Sequence, residues 1–260
     1  MKYFDKEFDK FLQKLKNKEN FAFARFSDGE LFILRNETLI LAEDHFVTGE
    51  REGHGIYPAE EQKEFIPEKH GFYQEKLTEC FKFKMPEYYK GICCRNDVGE
   101  DAFFWQKGLN GGDADLTFSN LLINRNYRRF VEDIVPVLKE RDVLYVVNEA
   151  ANLEGLPFDV KKDFRIGSNC MIDNYDTVEE VKEYIRENNI KDHVILCSAA
   201  SLSNFIIRDC FEDNPNNTFL DIGSCLNPYL ELEGWKHTRG YLTHYWMKSG
   251  SPYGEQVDIW

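Results

Sequence analysis

No stretch of the chain stays apolar for the roughly 18–20 residues that a helix needs to cross a bilayer. Residues 1–20 are rich in Lys, Asp and Glu and lack the apolar centre of a secretory leader. An integral membrane segment is therefore not expected, and cytoplasmic residence is the default expectation. Cysteine is unpatterned. The seven residues, Cys80, Cys93, Cys94, Cys170, Cys197, Cys210 and Cys225, are odd in number and never spaced C-x-x-C. Neither a disulfide framework nor a structural zinc site is expected. Positive charge is scarce, with 32 Lys and Arg against 46 Asp and Glu and a net charge of -14. A nucleic-acid backbone needs clustered cations, so it is excluded as the main partner, although a few local groups suffice to hold a nucleotide. There is also no P-loop, no G-x-G-x-x-G, no H-E-x-x-H and no nucleophile elbow.

What is present is enough apolar material for a core. Hydrophobic residues make up 42% of 260, including 21 Phe and 13 Tyr, and the absence of repeats or low-complexity tracts points to a single domain over residues 1–260. Phe4, Phe8, Phe11, Leu12 and Leu15 recur at spacings of three and four, which predicts an amphipathic helix. Residues 21–26 read as a strand broken by Ser27-Asp28-Gly29-Glu30. Residues 43–70 carry Gly49, Gly53, Gly55, Pro58 and Pro67 and read as a long polar loop, partly helical after Pro58. Residues 91–94 read as a short buried strand. Further on, strands at 143–147, 164–166, 193–197 and 218–222 alternate with helices from about 126 to 138, 177 to 188 with Thr177 as N-cap, and 201 to 211. Such alternation predicts an α/β fold, Rossmann-like, with a mostly parallel sheet and helices on both faces.

Several motifs carry candidate chemistry. Asp28 and Glu30, one residue apart at a strand end, can converge on a hard cation such as Mg2+ or Mn2+. The same residues spell a capping box, Ser27-x-x-Glu30, and on spacing alone that reading leads. Asp113-Ala114-Asp115 is a rival Asp-x-Asp pair, but it follows the glycine-rich 108–112, where turn chemistry or a lid explains it as well. Ser198-Ala199-Ala200-Ser201 joins a strand to a helix. Its small residues suit a phosphate turn, or Ser201 is simply an N-cap. Residues 124–129 form the one dense basic cluster, either a diphosphate grip through an Arg fork or a solvated helix start with Arg128 and Arg129 paired to Glu132 and Asp133. Leu220-Asp221-Ile222-Gly223 echoes a methyltransferase strand end, but no Gly-x-Gly turn follows it.

Taken in order, these segments resemble the GT-D fold glycosyltransferases. Arg25-Phe26-Ser27-Asp28-Gly29-Glu30-Leu31 resembles their Arg-Phe-Gly-Asp-Gly-Glu-Leu signature, and Ile123-Asn124-Arg125-Asn126-Tyr127 their Ile-Ser-Arg-Pro-Tyr. Residues 194–201 resemble their strand and small-residue phosphate turn, and residues 218–223 their Ala-Ile-Asp-Ile-Gly strand. The resemblance spans residues 21–230. It implies a divalent cation, typically Mn2+, a UDP-sugar donor and transfer onto a growing glycan, often a bacterial surface polysaccharide. It implies metal binding by Asp28 and Glu30, donor binding by Arg25, Ser27, Asn124, Arg125, Tyr127, Ser198 and Ser201, and a position near the reacting sugar for Asp221. The candidates for a base that takes the acceptor proton are Asp221, Glu149 and His244, in falling order. Ser224 stands where the family often has His. That departure keeps open a second expectation, a non-catalytic nucleotide- or glycan-binding protein.

Overall fold

The computed structural model describes residues 2–232 and 234. Eleven strands are found among them: β1 Ala22–Phe26, β2 Leu39–Leu41, β3 His45–Thr48, β4 Arg51–His54, β5 Lys63–Phe65, β6 Tyr88–Ile92, β7 Leu116–Phe118, β8 Val143–Asn148, β9 Val160–Ile166, β10 Val194–Cys197 and β11 Thr218–Asp221. Seven form one sheet in the order β7-β6-β1-β11-β10-β8-β9. Every pair in it is parallel. β10 and β11 are buried at every residue, and so are the first five of β8. This is the burial expected of parallel strands covered on both faces, and it explains their unbroken apolar runs.

Helices supply both covers. They are α1 Phe4–Lys16, α2 Asp28–Leu34, α3 Pro67–Lys82, α4 Arg95–Val98, α5 Glu100–Asn110, α6 Tyr127–Arg129, α7 Val135–Leu138, α8 Cys170–Asp173, α9 Thr177–Glu187 and α10 Leu202–Asp213. A π-helical turn, Phe130–Ile134, joins α6 to α7. The five apolar residues of α1 singled out by spacing are all buried, and Phe11 packs edge-on to Phe21 and tilted on Phe23. Phe26, three residues beyond Phe23 and so on the opposite face of β1, meets Phe81 of α3. α10 covers this second face, with Phe211 against Phe219 of β11.

Three sequence expectations need correction. Residues 43–70 are not a long loop: β2 to β5 build a second, antiparallel sheet in the order β4-β3-β2-β5. Its strands are three or four residues long and partly exposed, so no alternation is long enough to read. Thr177 is the first residue of α9 rather than its cap, a position held by Asp176. The 108–112 segment is the C-terminal end of α5, with Gly111 left-handed at φ +71°. That conformation strains any residue with a Cβ.

The rival acidic pair belongs to packing. Lys90 of β6 is fully buried, donates to the carbonyls of Phe81 and Phe83 and to Asn110 Oδ1, and lies 2.8 Å from Asp115 Oδ2 in an ion pair. Asp115 also accepts from Lys84 and Asn110. Burial works against its charge, but these bonds prevail and hold its carboxyl down at about 2. Burial pushes Lys90 down to about 8 against the pull of Asp115, so both partners are charged at neutral pH. Removing one partner of a buried pair strands the other charge, which costs about 3–5 kcal/mol. Asp115→Ala is expected to lose about 3 kcal/mol in urea unfolding. Asp113→Ala, with its carboxylate half exposed beside Lys107, is expected to lose less than about 0.5 kcal/mol.

Candidate functional site

A cleft of about 540 Å³ opens at the C-terminal ends of the parallel strands, between them and the small sheet. This is the edge at which open α/β sheets bind ligands, because helix starts and loops converge there. Arg25, near the end of β1, holds it together. Its Nε donates to the Ser119 carbonyl at 2.6 Å, and its Nη2 donates to Ser27 Oγ at 3.2 Å. Nη1 lies 3.7 Å from Asp221 Oδ1, an ionic approach longer than a hydrogen bond. Asp221 ends β11, is 5% exposed, and accepts the Gly223 N–H at 3.0 Å. Burial pushes its carboxyl up to about 7, with Arg25 opposing that rise. Gly223 sits at φ +49°, and a Cβ there would run into Arg25 Nη1. The turn after β11 therefore requires glycine for both conformation and space.

The Asp28-Gly29-Glu30 segment opens α2 at the same edge. Asp28 is exposed and lines the cleft. Glu30 is 8% exposed and completes the capping box, its Oε2 accepting the Ser27 N–H at 2.9 Å. Its other oxygen accepts the Ser201 hydroxyl at 2.7 Å. The two carboxylates thus have different lives: Asp28 faces solvent, and Glu30 bonds α2 to the start of α10.

The serines of the small-residue turn are committed as well. Ser198 Oγ donates to the Gly223 carbonyl at 2.6 Å. A hydroxyl has one proton, so Tyr145 must donate across its 2.9 Å contact with Ser198. Neither Ser198 nor Ser201 keeps its hydroxyl proton for a phosphate in this arrangement. Ser198, Ala199 and Ala200 still line the cleft, with Ala200 at φ +42°. Ser201 holds the N-cap position of α10, yet its hydroxyl serves Glu30 and not its own helix.

The structure brings together Arg25, Ser27, Asp28, Glu30, Ser198 and Asp221, and Ser224 joins them in the lining. It does not bring Asn124, Arg125, Tyr127, Glu149 or Ser201 into that lining. Arg125 pairs with Asp5 of α1 at 3.1 Å, and Arg129 with Asp9 at 2.7 Å, so the basic cluster faces the acidic side of α1. Tyr127 is buried in the core and Glu149 is exposed. His244 lies outside the described residues. Tyr57, Glu60, Glu61 and Lys63, on or beside the small sheet, line the cleft and were missed, because a segment read as a loop gives no reason to single them out.

The Asp221 shift has a checkable sign. Between the ordinary carboxylate range near 4 and about 7, the folded chain holds a proton that the unfolded chain has released, so this contribution to stability falls as pH rises through that window. Asp221→Asn stays neutral throughout. Its melting temperature is expected to gain on the parent's between about pH 5 and pH 8, as measured by calorimetry. A constant difference would contradict the raised carboxyl.

No protein-family model matches the chain, and no curated protein does either. Solved structures do. One described as a new glycosyltransferase (DUF1792) from Streptococcus sanguinis aligns with a TM-score of 0.54 at 16% identity, covering 89% of this chain and 83% of its own. Another, described as showing that the highly conserved domain of unknown function 1792 has a distinct glycosyltransferase fold, aligns at 0.53 and 14%, covering 89% and 80%. Among the described residues, no helix is long and apolar enough to cross a membrane. The chain has the distinct glycosyltransferase fold of the DUF1792 structures, the GT-D type, built on its seven-stranded parallel sheet.

Proposed function

We propose that the chain is a metal-dependent glycosyltransferase that moves a sugar from a UDP-linked donor to a growing glycan. The observation that carries this reading is the convergence, in one cleft of a glycosyltransferase fold, of an anchored Arg25, an exposed Asp28 and a buried Asp221. The cleft's volume, about 540 Å³, falls within the usual range for small-molecule sites.

Charge supports the cation. Five carboxylates line the cleft, those of Asp28, Glu30, Glu60, Glu61 and Asp221, against the cations Arg25 and Lys63. A diphosphate would meet a net negative wall. Among the described residues, no group of three or more His, Cys, Asp or Glu side chains forms a metal cage. Mg2+ and Mn2+ suit the other kind of site, where one or two carboxylates suffice and phosphate and water complete the shell. Asp28 offers the exposed carboxylate for it, while Glu30 has only the lone pairs that Ser27 and Ser201 do not use. When bound, the cation supplies Lewis-acid stabilisation of the leaving diphosphate.

The chain's own groups do the rest. Arg25 is a fixed positive charge beside the phosphates, already oriented by Ser119 and Ser27. Asp221, in its ionised form, takes the proton of the acceptor hydroxyl as that oxygen bonds the sugar and the sugar–phosphate bond breaks. A carboxyl near 7 suits such a base at neutral pH, because it is both ionised and basic enough to accept. Ser198, to which Tyr145 donates, holds the Gly223 carbonyl.

UDP together with Mn2+ is expected to raise the melting temperature by more than the sum of each alone, since a ligand bound only to the folded state stabilises it by mass action. No cooperative rise with UDP, GDP, CDP or dTDP would rule out this donor class. Asp28→Asn should remove the Mn2+-dependent part. Glu30→Gln should fold and keep most of it, because the amide can turn its oxygen to the Ser27 N–H and its NH2 to Ser201 Oγ. The reverse pattern would transfer the ligand role to Glu30. With a turned-over donor, kcat/KM should rise about tenfold per pH unit below about 7 and then level off. That limb should vanish in Asp221→Asn.

A further inference from the structure

We infer that the small antiparallel sheet is the acceptor wall of the cleft, and that the Tyr57 ring beside it is a stacking platform for a neutral sugar. This rests on the glycosyltransferase reading above and adds the wall and the residue that hold the second substrate. The transfer needs two substrates in one cleft, and the cleft has two chemically different walls. The strand-end wall carries Arg25, Asp28 and Asp221. The facing wall carries Tyr57 with Thr48, Glu60, Glu61 and Lys63.

Tyr57 is fixed before any ligand arrives. Its N–H donates to the Glu43 carbonyl at 3.3 Å, and its own carbonyl accepts from Gln62 Nε2 at 3.2 Å. Phe46 backs the ring edge-on, with centroids 6.5 Å apart and an interplanar angle of 78°. The glycines of this segment make that possible. A Cβ on Gly55 would come within 2.8 Å of Tyr57 Cε2, and one on Gly53 within 3.0 Å of Phe46 Cζ. Gly53 and Gly55 thus keep side chains out of the places the two rings occupy. The product is a half-buried aromatic ring held by both its backbone groups and lining a polar cleft.

The neighbours specify the ligand's charge. Hydroxyls donate to carboxylates and to Thr48, whereas a phosphate or carboxylate ligand needs donors. Near Tyr57 the lining offers carboxylates at Glu60 and Glu61, with Glu60 Oε1 already fixed by the Gly234 N–H at 2.7 Å, and one ammonium at Lys63. An apolar ring face flanked by hydroxyl acceptors matches a neutral pyranose, whose C–H face is apolar and whose rim is hydroxyl.

Saturation-transfer NMR on the full chain tests this without a donor. The probes are the methyl β-glycosides of glucose, galactose and N-acetylglucosamine, with glucose 1-phosphate as the anionic comparison. The parent should transfer saturation to the ring protons of at least one neutral glycoside and less to the phosphate. Tyr57→Phe, which keeps the ring, should retain at least about half of the signal, and Tyr57→Ala should lose about nine-tenths. UDP affinity with Mn2+, measured by calorimetry, should stay within about twofold across all three proteins. No transfer from any neutral glycoside in the parent, a preference for the phosphate, or an unchanged signal in Tyr57→Ala would each overturn the acceptor assignment. Failure of UDP to bind the parent would overturn the donor reading instead, so the two failures are distinguishable.

Discussion

A buried guanidinium governs the geometry of the cleft. The Arg25 side chain is only 16% exposed, and a charge so placed must be met by hydrogen bonds and counter-charge from the surrounding chain. Ser119, after β7, supplies a carbonyl, Ser27 supplies a hydroxyl, and Asp221, at the end of β11, supplies the counter-charge. One side chain therefore ties together three segments far apart in sequence. It also dictates its neighbours. Gly223 must lack a Cβ because Arg25 fills that space, and Asp221 sits where burial and Arg25 pull its carboxyl in opposite directions.

Around that centre the polar groups are arranged with definite direction. The proton of Ser198 goes to Gly223, the proton of Tyr145 to Ser198, and the proton of Ser201 to Glu30. Glu30 spends its other oxygen on Ser27. Such a network fixes the turns after β1, β10 and β11 against one another, because each member has its partner and none can shift alone. The cost is that these groups are already used. Asp28 lies outside the network, exposed and in the lining of the cleft. The Lys90–Asp115 cluster shows the same logic without a cleft: a fully satisfied buried charge that serves packing.

Much of this was legible in the sequence wherever the signal was local and repeated. The apolar spacing of α1 follows from the 3.6-residue period, and the unbroken runs of β8, β10 and β11 follow from burial on both faces. The four strands of the small sheet were not legible. β4 has Arg51, Glu52, Gly53 and His54, with no apolar face, and it is a strand only because β3 supplies its hydrogen bonds. The surroundings of Arg125 were not legible for a related reason. The cluster is anomalous in a chain of net charge -14, but its partners Asp5 and Asp9 lie about 120 residues away, beyond any spacing argument.

The sequence by itself determined the α/β class, the strand and helix order of the second half, the burial of the aromatic-rich core, and the strand-end position of the Ser27-Asp28-Gly29-Glu30 segment. These depend on residue type and short-range period, which the chain carries with it. Tertiary structure alone decided which of two plausible acids is exposed, which serine protons are spent, why Asp221 holds its proton to about 7, and that a glycine-rich segment presents Tyr57 to a cleft. Each of these is a property of a group's surroundings, namely its burial, its partner and the space beside it. Those surroundings come from segments as distant in sequence as Glu30 and Ser201, which meet only when the sheet has closed.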